Sequence, residues 1–232
     1  MSNKCFRLAA DSRIMAGTAR AMVLVLAIAL IALSAPGADA QETVTLAPTG
    51  AYAAIDTSLA TRVIQDLTQP GTAREQAVRD VTVAPQNYAP PVFYQLSSVL
   101  FDEGHRDDAA FWFYAGQLRA RFDANRCTDP TAAAAVSALN EQFGTPINQY
   151  MFQDPDRLAA LVEKVVDWDR ATPHDYDQRW INLHGMAAVT GAMDGEAADA
   201  PLSLPEDQWD MIAERTRTDY LDGLRQALEM MN

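Results

Sequence analysis

Residues 109–115 read AAFWFYA and are apolar at every position, which constrains the fold more than any other stretch of the chain. A helix that is apolar on every face is normally buried on several sides by other parts of the protein. Gly104 lies just before this stretch and is suited to terminate a helix, while Asp107 or Asp108 is suited to cap the next one. We therefore predict a central helix over residues 109–125.

The remainder of the chain also favours helices. The Asp-Pro pairs at 129–130 and 154–155 each combine a capping aspartate with a proline suited to the first helical position. Gly144 is placed to end the Ala-rich helix that follows the first pair, and a further helix is expected over residues 176–189. Apolar residues spaced three or four apart predict one long C-terminal helix, from about residue 205 to residue 231.

Alternation of apolar and polar residues, which is typical of strands, is confined to residues 43–46 and 81–83. The predicted fold class is therefore all-α. We expect a single domain of packed helical hairpins over residues 57–232, ending in the long C-terminal helix. Residues 41–56 show no helical period and are expected to form an extended lead-in.

The N-terminus has the pattern of a secretory signal peptide. Residues 21–34 are uncharged, four basic residues precede them, and Ala38-Asp39-Ala40 follows as a small-x-small cleavage pattern. The apolar run is shorter than the roughly 20 residues that a spanning helix needs. We predict a Sec-type signal peptide over residues 1–40, cleaved after Ala40, with an uncleaved anchor as the alternative. The expected location is periplasmic or secreted, with no stable membrane anchor after cleavage, and Met15 is a candidate for the true start.

Charge narrows the classes of function. The chain carries 18 Lys and Arg against 31 Asp and Glu, a formal net charge of −13, which disfavours nucleic acid as a partner. No Gly-rich phosphate loop, CxxC or HExxH motif is present. We therefore predict a non-catalytic module that binds another envelope or exported protein. An inhibitor or immunity-type protein for a basic partner is one concrete form, and a structural envelope component is an alternative.

A second alternative is a divalent metal site, in a metal-binding protein or a metal-dependent enzyme. Carboxylates and imidazoles are ligands of Zn²⁺, Mn²⁺ and Fe. A cluster of both lies at the end of the helix that is predicted to begin at Asp154-Pro155, and in the residues that follow it. The candidate ligands are Asp167, Asp169, His174, Asp177 and His184. Their spacing matches no strong metal motif, so a polar helix end followed by the cap of the next helix is the competing interpretation. No cofactor other than such a metal is indicated.

Two arginines near the end of the predicted central helix are candidate contacts for an anion or a partner protein. Arg119 and Arg126 are seven residues apart and therefore share one face of the helix. They are expected either to pair with Asp or Glu of this acidic chain or to bind a small anion or carboxylate.

Cys127 is the one cysteine that remains once Cys5 is removed with the signal peptide. A disulfide within the mature monomer is thereby excluded. We expect Cys127 to be buried, with a reactive thiol or a bridge between two chains as the alternatives.

Residues 100–121 resemble one unit of a helical-hairpin repeat of the tetratricopeptide or Sel1-like kind. In such units a helix ends in Gly, a short polar loop follows, and Ala and aromatic residues pack the second helix. The residues that carry the resemblance are Gly104, Ala109, Trp112, Tyr114 and Ala115. The resemblance implies a scaffold for protein interaction.

Overall fold

The computed structural model describes residues 47–194 and 200–230, and this part of the chain is all-α. The signal-peptide prediction for residues 1–40 and the start of the expected lead-in lie outside the described residues. Eight α-helices follow one another in the described part: α1 (Ser58–Thr68), α2 (Thr72–Val83), α3 (Pro90–Asp102), α4 (Arg106–Arg126), α5 (Ala134–Met151), α6 (Pro155–Ala171), α7 (Met186–Asp194) and α8 (Trp209–Glu229). None of these helices is long and apolar enough to cross a membrane.

Short 3₁₀ helices occupy several of the connections: Gly50–Ala54, Pro85–Asn87, Pro130–Ala133, Gln178–His184 and Glu206–Gln208. The first lies within the lead-in that the sequence predicts to be extended. It contains Tyr52, which is buried against Ala188 and Leu202. This contact anchors the segment to the helical body.

Helix α4 is the centre of the fold, as its apolar first half predicts. It packs against α3, α5, α6 and α8, and Ala109, Ala110, Phe113 and Ala115 have no exposed surface. The helix begins at Arg106, earlier than expected, and neither aspartate of its first turn forms the cap. Acidic residues in a first turn still interact favourably with the helix dipole.

The turn between α3 and α4 explains that early start. Gly104 has φ +88°, a conformation that L side chains rarely adopt. The backbone N–H of His105 donates to Leu100 O at 2.8 Å, and that of Gly104 donates to Phe101 O at 3.1 Å. These two bonds form a Schellman motif, so the prediction that Gly104 terminates the helix is confirmed, and α4 follows immediately after the turn.

Two helix pairs, α1–α2 and α3–α4, lie side by side, because α1 packs on α3. Helix α5 packs on both α3 and α4, whereas α6 packs mainly on α4 and α8. Arg74 near the first turn forms an ion pair with Glu103 at the second, at 3.8 Å. Asp107, just after the second turn, accepts hydrogen bonds from Arg157 and, at 2.9 Å, from the Tyr150 hydroxyl near the third. Successive turns therefore share one side of the molecule, which we call the turn edge (residues 69–71, 103–105 and 152–154).

Both Asp-Pro pairs start helical structure, as the sequence predicts. Asp154 caps α6 by accepting from Arg157 N at 3.0 Å. Asp129 accepts from Thr131 N at 2.9 Å, but the element it caps is a 3₁₀ helix, which leads into α5.

Helix α5 does not end at Gly144, contrary to the sequence prediction, and continues through Pro146 to Met151. The glycine serves packing instead. A Cβ at residue 144 would lie 3.0 Å from Cζ of Phe113, so its absence lets α4 approach α5 closely. The glycine therefore marks a close contact between two helices and not the end of one.

The helix predicted over residues 176–189 is divided into a 3₁₀ helix, Gln178–His184, and α7. Asp177 caps the 3₁₀ helix by accepting from Arg179 N, while Asp129 accepts from Ala187 N at 2.9 Å in the first turn of α7. A Cβ on Gly185 would lie 2.9 Å from Cγ of Asp129 and would clash with its Oδ2. The tight approach of that carboxylate therefore requires a glycine between the two helices.

The C-terminal helix α8 begins at Trp209, later than the sequence predicts. The preceding residues are held by other contacts, because Ser203 forms an isolated antiparallel bridge with Cys127 and Leu204 N donates to Arg126 O at 2.8 Å. These contacts tie the segment before α8 to the end of α4.

Candidate functional site

Asp169, near the end of α6, is the centre of a buried ionic cluster. Its side chain is only 4% exposed. It accepts hydrogen bonds from Nε of Arg119 on α4 at 2.9 Å and from Nε of Arg217 on α8 at 2.8 Å. Nε2 of His174 lies 2.9 Å from the same carboxylate. A buried charge is tolerated only when it is paired and hydrogen-bonded, so this cluster fixes α4, α6 and α8 relative to one another.

Arg119 reaches Asp169 because it lies on the inner face of the central helix and has no exposed side-chain surface. Its guanidinium lies over the Trp168 ring at 4.5 Å and over the Phe93 ring at 5.7 Å. Nη2 donates to the carbonyl of Thr172 at 2.9 Å, just past the end of α6. The arginine therefore combines an ion pair, cation–π contacts and a bond to the helix end.

Asp123, one turn further along α4, forms a second buried centre. It accepts hydrogen bonds from Nη2 of Arg126, from the hydroxyl of Tyr176 at 3.0 Å and from Nε1 of Trp180 at 2.7 Å. Tyr176 and Trp180 belong to the segment after α6, so their hydrogen bonds hold that segment against the central helix.

The two buried carboxyl groups differ in their acidity. Burial raises the pKa of Asp169, but the hydrogen bond from His174 and the charges of His174, Arg119 and Arg217 together lower it to about 2. For Asp123, burial outweighs the lowering effects of Arg126 and Trp180, and the pKa is raised. Asp169 is therefore held firmly as a carboxylate at neutral pH.

An open groove of about 470 Å³ lies beside both centres, between α6, α8 and the segment that joins α6 to the 3₁₀ helix. We call it the Arg126 groove. Its aromatic walls are Phe122 and Trp209, and Arg170 and Glu214 form an ion pair on its lining, with Nη2 and Oε2 at 3.1 Å. The lining comprises Phe122, Arg126, Asp169, Arg170, Ala171, Thr172, Pro173, His174, Gln178, Trp209, Asp210, Ala213, Glu214 and Arg217.

The structure brings four of the predicted site residues into this region: Arg119, Arg126, Asp169 and His174. Both arginines pair with buried aspartates, which is one of the two outcomes that the sequence leaves open for them.

The other predicted metal ligands do not join them. Asp167 is exposed and pairs with Arg170 at 3.2 Å. Asp177 caps the 3₁₀ helix and binds Arg179 at 2.7 Å, and His184 contacts the Trp180 ring edge to face. Burial lowers the pKa of His184. Among the described residues, no group of three or more His, Cys, Asp or Glu is arranged to hold a metal ion.

Sequence reasoning missed Asp123 and Arg217. A signal for Asp123 was present, because it lies four residues after Arg119 and three before Arg126, so all three share one face of the central helix. An acidic residue between two arginines on a helix expected to be buried is a natural ion-pair partner for them. Arg217 carried no such signal, because its partner Asp169 lies 48 positions away on another helix.

Cys127 is buried and forms no disulfide within the described residues, so the expectation of burial is confirmed. Nδ2 of Asn182 lies 3.0 Å from its Sγ and also donates to Leu202 O at 2.6 Å. Burial raises the pKa of the Cys127 thiol, which disfavours the reactive thiolate.

Among known proteins, the chain is similar over part of its length to a protein of Haemophilus influenzae that is described only as uncharacterised, with 26% identity over 102 residues. The match covers 44% of this chain and 40% of the relative, so the chain spans less than half of that relative's length. No known protein family and no solved structure matches the chain.

Proposed function

We propose that this chain is exported to the periplasm or secreted. In that location it binds another protein that has a basic surface, and it does not catalyse a reaction. An inhibitor or immunity-type protein is one concrete form of this role. The signal-peptide pattern of residues 1–40 supports the export, and the helical architecture and the charge distribution support the binding.

The observation that carries the proposal is the internal use of the positive charges. Most arginines of the described residues form ion pairs within the chain: Arg74, Arg79, Arg119, Arg126, Arg157, Arg170, Arg179, Arg215, Arg217 and Arg225. Since acidic residues outnumber basic ones, an excess of exposed carboxylates remains. Such a surface attracts a basic partner and speeds its encounter.

The packing of the helix pairs supports the same role. The turns between successive helices lie along one edge. The resemblance of residues 100–121 to a helical-hairpin repeat implies a scaffold for protein interaction, which agrees with this proposal. Besides Asp107, which binds Arg157 and Tyr150, four exposed aspartates lie at or beside the turn edge: Asp102, Asp108, Asp154 and Asp156. A rigid edge of this kind presents its charges in fixed positions.

The test compares two variants with the same change in net charge. The turn-edge variant carries Asp→Asn substitutions at residues 102, 108, 154 and 156. The control replaces four exposed carboxylates on separate helices by their amides, at Asp80, Glu141, Glu163 and Glu229. Partners are captured from envelope extract with the unmodified protein and purified. Their association and dissociation rates are then measured with each variant at about 50 mM and about 300 mM salt.

We expect binding to weaken as salt rises and the association rate to fall more than the dissociation rate changes, because exposed charges act mainly on encounter. A fall of about tenfold in the association rate with the turn-edge variant but not with the control supports the proposal and identifies the turn edge as the binding face. Equal falls with both variants support a basic partner but do not assign it to that edge. Binding that is insensitive both to salt and to the two variants would contradict the proposal, as would the capture of no saturable partner.

Export has a separate test. The protein recovered from the periplasmic or secreted fraction is expected to begin at Gln41. An intact mass that retains residues 1–40, with the protein in the membrane pellet, would contradict the proposed cleavage.

A further inference from the structure

Arg126 carries more hydrogen-bond donors than the described protein uses. Its side chain is only 2% exposed, and its guanidinium lies 4.4 Å from the centre of the Phe122 ring and 4.6 Å from that of Trp209. Trp209 is itself fixed, because its Nε1 donates to Leu204 O at 2.8 Å. Nη2 of Arg126 donates to Asp123, whereas Nε and Nη1 have no acceptor among the described residues.

Arg217 provides a second donor at the same groove. Its Nε donates to Asp169 at 2.8 Å and its Nη1 donates to Glu214 at 2.6 Å. Nη2 has no acceptor within the described part of the chain. Both arginines line the Arg126 groove, and each is held in place by a carboxylate. The donors are therefore fixed before any ligand binds, which reduces the entropy lost on binding.

The unused donors beside the groove suit an anion in spite of the acidity of the whole chain. Three guanidinium groups with side chains at most 11% exposed, those of Arg119, Arg126 and Arg217, share two buried carboxyl groups, Asp123 and Asp169. Of the remaining carboxylates near the groove, Asp167 and Asp210 are exposed, whereas Glu214 pairs directly with Nη1 of Arg217 at 2.6 Å. The attraction for an anion therefore rests on the unused donors of Arg126 and Arg217 and not on a net positive charge of the groove.

We propose that the Arg126 groove binds a carboxylate through Arg126 and Arg217, with the apolar part of the ligand against Ala171, Pro173 and Ala213 of the lining. Guanidinium groups match the planar geometry of a carboxylate. The groove, about 470 Å³, has the size of a small-molecule site. The carboxylate is either that of a small organic acid or the C-terminus of a peptide.

The first experiment measures binding of benzoate and of its neutral analogue benzamide at constant ionic strength. The readout is the NMR shift of the Trp209 indole N–H and of the arginine Nε–H groups. We expect saturable binding of benzoate with a dissociation constant of about 1 mM, and binding of benzamide that is weaker by about tenfold. A tripeptide with a free C-terminus, compared with its amidated form, distinguishes the peptide source from the small acid.

The second experiment changes the groove without touching the buried centres. Ala213 lines the groove and is partly exposed, so Ala213→Glu places a negative charge there while Ala213→Gln adds the same bulk without charge. We expect the glutamate variant to bind the carboxylate probe about tenfold more weakly than the glutamine variant. Val83→Glu, at a position that is 82% exposed and outside the groove lining, controls for net charge and is expected to leave binding unchanged.

Three results would overturn the proposal. One is the absence of saturable shifts with both benzoate and the free-carboxyl tripeptide at concentrations up to about 50 mM. Another is equal binding of the charged and the neutral probe. The third is equal affinity of the two Ala213 variants, provided that their far-UV circular dichroism matches that of the unmodified protein.

Discussion

Removing the charge of Asp169 is expected to destabilise the fold strongly. Asp169→Asn preserves size but leaves Arg119 and Arg217 without their shared carboxylate. Arg119 has no exposed side-chain surface, so its charge cannot turn towards water. Breaking a buried ion pair by removing one partner costs about 3–5 kcal/mol, and we expect a loss of this size in the free energy of unfolding.

The acidity of the same group gives a second measure of this stabilisation. The pKa of Asp169 is about 2 in the folded protein against an ordinary value of 3.8. At 1.36 kcal/mol per pKa unit, this difference corresponds to about 2 kcal/mol. Because the pKa is lower in the folded state, the stabilisation is complete above the unfolded-state pKa and is lost as the pH falls towards about 2.

The assay is urea denaturation followed by far-UV circular dichroism, with the free energy of unfolding obtained by linear extrapolation. The control is Asp167→Asn, because the Asp167 side chain is 80% exposed and pairs with Arg170 at the surface. We expect the control to cost less than about 0.5 kcal/mol. The difference between the unmodified protein and Asp169→Asn is expected to shrink as the pH falls below about 4. A cost below about 1 kcal/mol for Asp169→Asn, or a difference that does not depend on pH, would refute the reasoning.

The packing of the helices gives three further predictions. Gly185→Ala forces a Cβ against Asp129 and is expected to lower the free energy of unfolding by about 1–3 kcal/mol. Thermal or chemical denaturation measures this loss, and a neutral effect would show that the carboxylate can move aside. Trp112→Ala is expected to lower the free energy of unfolding by about 3–5 kcal/mol, because Trp112 is 7% exposed and its ring lies 5.6 Å from that of Trp168. A loss below about 1 kcal/mol would contradict its role in the core. Cys127 is expected to react with a thiol reagent only after denaturant is added, as read by peptide mapping, and rapid labelling of the native protein would contradict its burial.

The sequence alone determined the fold class and the central helix. A run that is apolar on every face, AAFWFYA, must be enclosed by other elements. The Gly104 turn and the Asp154-Pro155 cap depend on the backbone geometry of neighbouring residues. For this reason the Schellman turn at Gly104 and the cap formed by Asp154 could be predicted, and both are present.

Only the tertiary structure decided which charged residues meet Asp169. Asp169 is 50 positions from Arg119 and 48 from Arg217, and no local rule relates residues at such separations. The same applies to Gly144, which lies inside α5 and packs against Phe113 of α4, a contact that the local sequence does not reveal. Signals that act along the chain are readable from sequence, whereas ion pairs and close contacts between helices depend on how the helices pack, which is a property of the whole fold.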